Sequence, residues 1–381
     1  MKILWVPHTP TSSHVWDGNR QHHLFRFLSG RHDLHWITWE QPRRASTAGR
    51  WGRWTSAPRP PQGTEHAITL APNFYRLVTR VYPRAWHLAL NQLLFQRATR
   101  QISRAVRPDV IVVNSSHHWT GFPAFDGNAP VVFDHLDTLP AWVETRYAQS
   151  ATAITTVSST LAAAFAGSGK PVSVIANGVD LGRYQLLDRA QAKQKLNMTG
   201  STVVSLIGLT CSPTLYFVDA FAAAQRKRPD LLLLIVGGGP TQEAIARRAE
   251  TLGLRDIRLT GQLPSADVHW YFAATDVGLY PGEDVPYYRK AAPLKIVEYC
   301  AVGAQVISSP VDMFRQGWPN VHLTEPTAAA FEQAILTVLD NPRPAPNVAG
   351  YDWETLACHF DEVLEQALEP ATRRGGKGSV A

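Results

Sequence analysis

The sequence predicts an α/β protein of two Rossmann-like, parallel-sheet domains facing a cleft. Strand-like and helix-like segments alternate along the chain, and the alternation runs through two similar cycles. At 381 residues the chain is long for one domain and comfortable for two.

The first cycle opens on an expected strand at Lys2–Val6, read as a core strand because Pro7 and polar residues cut it short of a signal peptide. Further strands are expected at Leu34–Thr38, Val110–Val113, Val131–Phe133, Ala153–Thr156 and Val172–Ile175. Helices fit Arg20–Ser29, Trp86–Arg104 and Ser159–Ala166. Residues 41–63, rich in Pro, Gly, Ser and Arg and without periodicity, read as a long loop.

The second cycle starts at strand Val203–Ile207, after the polar stretch Asp188–Ser201. It continues through helix Leu215–Arg226, strand Leu231–Val236, helix Gln242–Leu252, strand Ile257–Thr260, helix Ala266–Ala274 and strand Val277–Tyr280. Helix Leu294–Val302 and strand Val306–Ser308 follow, and Trp353–Ala367 reads as an amphipathic helix. The expected division is one Rossmann-like domain over 1–187 and a second over 188–352. A helix over 353–370 would pack back towards the first domain, and 371–381 would be a disordered tail.

Composition narrows the function. The most hydrophobic run, Leu231–Val236, is far too short to cross a bilayer, and Cys211, Cys300 and Cys358 form neither a disulfide framework nor a zinc site. A reducing, cytoplasmic setting is expected. Net charge is +6, and residues 41–108 hold twelve arginines, no lysine and one acid, Glu65. Arg97, Arg100, Arg104 and Arg107 fall on one helical stripe, which suits either an anionic partner or a solvated face. Peripheral membrane association is therefore an expectation. Nucleic acid is not, because no recognition motif accompanies the charge.

Four stretches carry candidate chemistry. In Pro293 to Gly303 a proline starts a helix, Lys295 lies in its first turn and Glu298 follows three residues on, a pattern able to hold a diphosphate and a ribose. Gly237-Gly238-Gly239-Pro240 after an apolar strand lets a ligand approach backbone, although Gln242 breaks the dinucleotide fingerprint. The loop Thr9–Asn19 holds Asp17 and Gly18 before a helix whose first turn holds Arg20; Asp17 also suits a helix cap. Phe133-Asp134-His135-Leu136-Asp137, with His117 and His118 after another strand, puts carboxylates and imidazoles at strand ends. No Asp-X-Asp pair occurs, so no metal-bridged diphosphate is expected.

Taken in order, these pieces resemble the bacterial family 4 (group 1) glycosyltransferases, whose fold is called GT-B. Thr155–Ser159 with Lys170–Asp180 is similar to the family's domain junction. Leu234–Pro240 resembles its second C-domain strand and turn, Leu259–Pro264 its base-binding loop, Ala274–Pro281 the next strand, and Pro293–Gly303 its donor helix. Trp16–Leu24 is similar to a subgroup acting in cell-surface polysaccharide assembly. The resemblance implies that Glu298 binds ribose, that backbone around Leu263 reads the base, and that the Gly18 loop faces the diphosphate. Gly208, Gly237 and Gly238 complete the implied donor site.

Two departures stand out. The family's paired glutamates are eight apart, and eight before Glu298 stands Lys290; its Arg and Lys after the first C-domain strand are replaced by Gly208–Pro213. Lys295, with Arg289 or Lys290, is expected to supply the displaced charge.

The expected activity is metal-independent, retaining transfer from a nucleoside diphosphate sugar, UDP foremost, to a hydroxyl of a small-molecule or lipid-linked acceptor. No other cofactor is expected. Asp17, His118, His135 and Asp137 are the catalytic candidates, Asp17 or Asp137 being the base of an inverting route. Trp51, Trp54 and Trp86 in a basic region favour a lipid-linked acceptor. A silent nucleotide-sugar-binding protein and a nucleotide-sugar epimerase are the alternatives.

Overall fold

The computed structural model describes residues 1–7, 20–40, 52–59, 63–71, 84–114, 122–127, 129–184, 187–208 and 215–369. The chain divides into two compact units, Met1–Ile175 with Leu356–Ala381, and Ala176–Thr355.

Unit 1 runs β1 (Lys2–Val6), α1 (Arg20–Leu28), β2 (Asp33–Glu40), β3 (Trp54–Arg59), β4 (Gly63–Thr69), α2 (Arg84–Val106), β5 (Val110–Asn114), β6 (Val131–His135), α3 (Ala141–Ser150), β7 (Ala153–Thr156), α4 (Ser159–Ala162) and β8 (Val172–Val174). Its sheet has the order β3-β4-β2-β1-β5-β6-β7-β8, parallel throughout except where β3 pairs antiparallel with β4. Central β5 is buried on both faces, as in a sheet covered on each side. The β3–β4 ribbon corrects the reading of residues 41–63 as a loop. Strand β4 buries His66 and Ile68 on one face and Glu65 on the other, and β3 is an edge strand that tolerates Pro58. Helix α3 went unread because its 10 residues bury only Tyr147 and Ala148, too narrow a stripe to register as periodicity.

Unit 2 runs α5 (Leu181–Tyr184), α6 (Arg189–Lys195), β9 (Thr202–Ile207), α7 (Tyr216–Lys227), β10 (Leu231–Val236), α8 (Gln242–Thr251), β11 (Ile257–Leu259), α9 (Ser265–Ala273), β12 (Val277–Tyr280), α10 (Pro286–Arg289), α11 (Leu294–Ala301), β13 (Gln305–Ser308), β14 (Val321–Leu323) and α12 (Ala328–Asp340). Its six strands lie all parallel in the order β11-β10-β9-β12-β13-β14. Two apolar clusters cover the two faces of this sheet. One is built on α9 and α11, the other on α7 and α12. The junction loop is tied inside the unit: Val179 N–H donates to the Tyr351 carbonyl at 2.8 Å, and Leu181 N–H to Asp352 Oδ1 at 3.0 Å. The last helix, α13 (Trp353–Leu368), belongs to unit 1 from Leu356 onward. There Phe360 stacks on Trp5 with ring centroids 5.1 Å apart.

Candidate active site

In unit 2 the chain order reverses at β9, which has β10 on one side and β12 on the other. A ligand of an open parallel sheet sits beyond the carboxyl ends of the strands at such a switch point. Gly208 follows β9, Gly237 follows β10, and Gly261 with Leu263 follows β11. Gly237 holds φ +116°, and a Cβ there would stand 2.2 Å from the Gly208 carbonyl oxygen, so only glycine fits. Its N–H donates to the Gly261 carbonyl at 2.9 Å, and Gly208 N–H donates to the Val236 carbonyl at 2.8 Å. The three turns are thereby laced into one floor of backbone. Gly238 is next in the same turn, 3.7 Å from the Gln262 side chain by the same measure.

Helix α11 approaches this floor, with Pro293 in extended conformation just before it and no acid in its first turn. Lys295 reaches forward, its Nζ 2.9 Å from where a Gly208 Cβ would stand and 5.7 Å from the Tyr280 ring centroid. A full positive charge, a helix start and bare glycine backbone thus meet at one spot, the combination that stabilises phosphate.

Tyr299 anchors α11. Its hydroxyl accepts from Ile207 N–H and from the Ser205 hydroxyl, both at 3.1 Å, and its ring lies so close to Gly278 that a Cβ there would come within 2.4 Å. Phe272 packs edge-on to Tyr299 at 4.9 Å and to Tyr184 at 5.7 Å.

Glu298 faces away from Tyr299 along the same helix, half-buried, and Tyr184 donates to its Oε1 at 2.8 Å. Burial pushes this carboxyl up to about 7. The Tyr184 hydrogen bond, then Lys295 and Arg183, pull it back only in part. The Tyr184 hydroxyl is itself pushed well up by burial and by the neighbouring Glu298.

The other cations lie in and after α10. Arg289 forms a two-pronged ion pair with Asp284, at 2.8 Å for the outer prong, so its charge is already balanced. Lys290 is half-buried just beyond the helix. Asn177, in the junction, donates to the Ala292 carbonyl at 2.7 Å, steadying the turn before α11.

In unit 1, Asp17, Gly18 and His118 lie outside the described residues. His135 is fully enclosed: its Nε2 pairs with Glu144 Oε1 at 2.9 Å, and its ring lies against Phe133 and Phe165. That placement ties β6 to α3. Asp137 is half-buried in the loop after β6.

The centre of this strand end is Asp134, which lay in the candidate stretch Phe133–Asp137 but was not among the catalytic candidates drawn from it. It is completely buried and accepts two bonds from Arg20 at 3.2 Å each, one from Asn114 at 2.7 Å and one from the Thr155 hydroxyl at 2.7 Å. Trp5 Nε1 in turn donates to Asn114 Oδ1 at 2.5 Å. The network joins β1, β5, β6 and β7 at their carboxyl ends and fixes the first residue of α1. The available signal was an acid between buried apolar neighbours, Phe133 and its strand. Tyr184, also missed, has only a single turn of helix around it to mark it.

Residues 18–183 match the model described as Glycosyltransferase Family 4, and residues 207–341 match the one described as Glycosyl transferases group 1. The two matched segments are both of glycosyltransferase type and lie one in each half of the chain. The match to the second model takes in the glycine floor, Lys295 and Glu298. A curated relative, the D-inositol 3-phosphate glycosyltransferase of Rhodococcus jostii, is 30% identical over 221 residues, covering 51% of this chain and 46% of that protein. The chain spans between a third and a half of the length of the curated relatives it matches.

Among solved structures, the sucrose-phosphate synthase of Thermosynechococcus elongatus superposes with TM-score 0.69 at 16% identity, covering 96% of this chain and 98% of that one. HepE of Anabaena, solved with UDP and glucose, gives TM-score 0.63 at 15% identity over 96% and 100%. These likenesses show the GT-B fold.

Proposed function

We propose that the chain transfers a glycosyl group from a nucleoside diphosphate sugar to an acceptor hydroxyl, with the donor held in unit 2. The observation that carries the reading is the convergence of Lys295, the start of α11, the Gly208–Gly237 floor and the Tyr184–Glu298 pair at one switch point. Lys295 and the helix start would stabilise the departing diphosphate, doing by fixed charge what a bridging cation does elsewhere. Glu298, once ionised, accepts both ribose hydroxyls, and backbone around Leu263 meets the base. UDP is the nucleotide proposed, supported by HepE having been solved with UDP. Retention of configuration is the outcome proposed, as the resemblance to family 4 implies, with Asp17 or Asp137 the base if the route inverts. The acceptor proposed is a small-molecule or lipid-linked hydroxyl. The charge departure at Lys290 favours the second reading, a silent binder of the same ligand.

A thermal-shift panel of UDP-, GDP-, TDP- and ADP-sugars, followed by donor-hydrolysis detection, tests both. Stabilisation by one nucleotide with slow hydrolysis, both lost in Glu298→Ala, is the expected result. Stabilisation without any hydrolysis leaves the silent binder. No stabilisation of a folded protein ends the donor-site reading.

A further inference from the structure

We propose that one continuous face of unit 1, made by α2, residues 122–126 and α3, docks on an anionic phospholipid surface. Helix α2 contains no acidic residue, and Leu93, Arg97, Arg100 and Arg104 fall at the spacing that places them on one exposed stripe. Leu93 is 64% exposed, unusual for a leucine in the middle of a 23-residue helix.

The segment 122–126 runs alongside, stitched to α2 at three points. Gln92 exchanges two bonds with the Phe122 backbone at 2.7 and 3.0 Å. Thr99 does the same with Ala124 at 3.2 and 3.1 Å, and Arg104 holds Asp126 at 2.5 and 3.1 Å. Phe122 then carries the face on to α3. Trp142 lies against it at 6.1 Å, and the Arg146 guanidinium sits 4.4 Å above its ring. Trp142 is 67% exposed, the most exposed large apolar side chain among the described residues.

The resulting surface has apolar points at Leu93 and Trp142 and cations at Arg97, Arg100, Arg104 and Arg146. One acid, Asp126, answers them by pairing with Arg104 and, at 3.8 Å, Arg100. A nucleotide would satisfy the charge and leave an indole and an isobutyl group in water. A bilayer interface takes both: tryptophan settles at headgroup depth, and arginines above it meet anionic lipid. The fixed stitching means that little ordering entropy opposes the contact. This surface is separate from the donor site, so its test does not depend on that reading.

Flotation of the full chain with phosphatidylcholine vesicles, with and without phosphatidylglycerol, reads the proposal out. Partition onto the phosphatidylglycerol vesicles is expected, falling steeply as salt is added. Trp142→Ala should lower the partition coefficient at least about tenfold. Arg97→Ser with Arg100→Ser should lower it about thirtyfold. Thermal transitions should stay at the wild-type temperature. If Trp142→Ala shifts the transition, Leu93→Ser reads the same apolar contribution from a side chain that packs on nothing essential. Equal binding to pure phosphatidylcholine, or wild-type binding by the variants, overturns the proposal. So does a lipid-free self-association that Trp142→Ala abolishes, which would make the face a protein interface.

Discussion

Glu298 gives the most quantitative handle on this protein. Its carboxyl titrates at about 7 in the folded chain against 4.5 when unfolded, because burial penalises the charged form. The folded state therefore holds this proton more tightly than the unfolded state. Stability falls as pH rises from 4.5 towards 7 and levels off above. Glu298→Gln keeps an acceptor for the Tyr184 hydroxyl and removes the titration. At pH 5 the wild type has lost little; by pH 8 it carries the full penalty. Between these two values the variant should gain about 2.5 kcal/mol on the wild type. Amide exchange of peptides from β9 and α11 measures this, since comparing variant and wild type at one pH cancels the intrinsic exchange chemistry. The wild-type peptides should exchange roughly seventyfold faster relative to the variant at pH 8 than at pH 5. A variant-to-wild-type ratio that stays constant with pH would refute the reasoning, because the carboxyl would then be titrating at its unfolded value. The same ionisation should tighten wild-type donor binding as pH rises through about 7, and Glu298→Gln should flatten that dependence.

Other perturbations probe the neighbouring contacts. Lys295→Ala removes the cation over the glycine floor and should raise the donor Kd at least about tenfold by calorimetry, with unchanged affinity counting against the diphosphate assignment. Gly278→Ala drives a methyl into the Tyr299 ring and should cost about 1–3 kcal/mol, seen as a lowered unfolding midpoint in urea; a midpoint within error of wild type would mean that α11 shifts freely. Asp134→Ala strands Arg20 in the interior and should destabilise unit 1 by about 3–5 kcal/mol, read as early loss of amide protection in β5 and β6.

Much of the fold was legible because buried parallel strands announce themselves. β10 is six apolar residues in a row, and β9 and β5 are nearly as plain. Elements stabilised by partners distant in sequence were not. β3 exists only because it pairs with β4, and its own composition of Ser, Pro and Arg gives no strand signal. α12 is apolar over most of its length, yet it follows a stretch that reads as irregular until β14 closes the sheet. In the site, the helix carrying Lys295 and Glu298 was readable because a proline, a first-turn cation and an acid one turn on are local features. Tyr184 was not, since its link to Glu298 spans 114 positions, and Arg20 to Asp134 also spans 114. The expectation that Arg289 or Lys290 shares the phosphate charge with Lys295 overlooked Asp284, an acid only five residues before Arg289 that pairs with its guanidinium.

Asp134 near the end of strand β6 and Glu298 in helix α11 are both held by side chains distant in sequence, and the difference between those acids separates architecture from function. A carboxylate has room for about four hydrogen bonds. Asp134 receives four, two from Arg20 and one each from Asn114 and Thr155, all at 2.7 to 3.2 Å, and so has nothing left to offer a ligand. Glu298 receives one side-chain hydrogen bond among the described residues, from Tyr184, and burial raises its titration point to about 7. A saturated buried acid is held because breaking its network costs the fold. An under-satisfied one persists where an incoming group completes it, and a ribose diol supplies two donors of the right kind. The donor reading thus rests on the surroundings of Glu298 as much as on the family model that unit 2 matches.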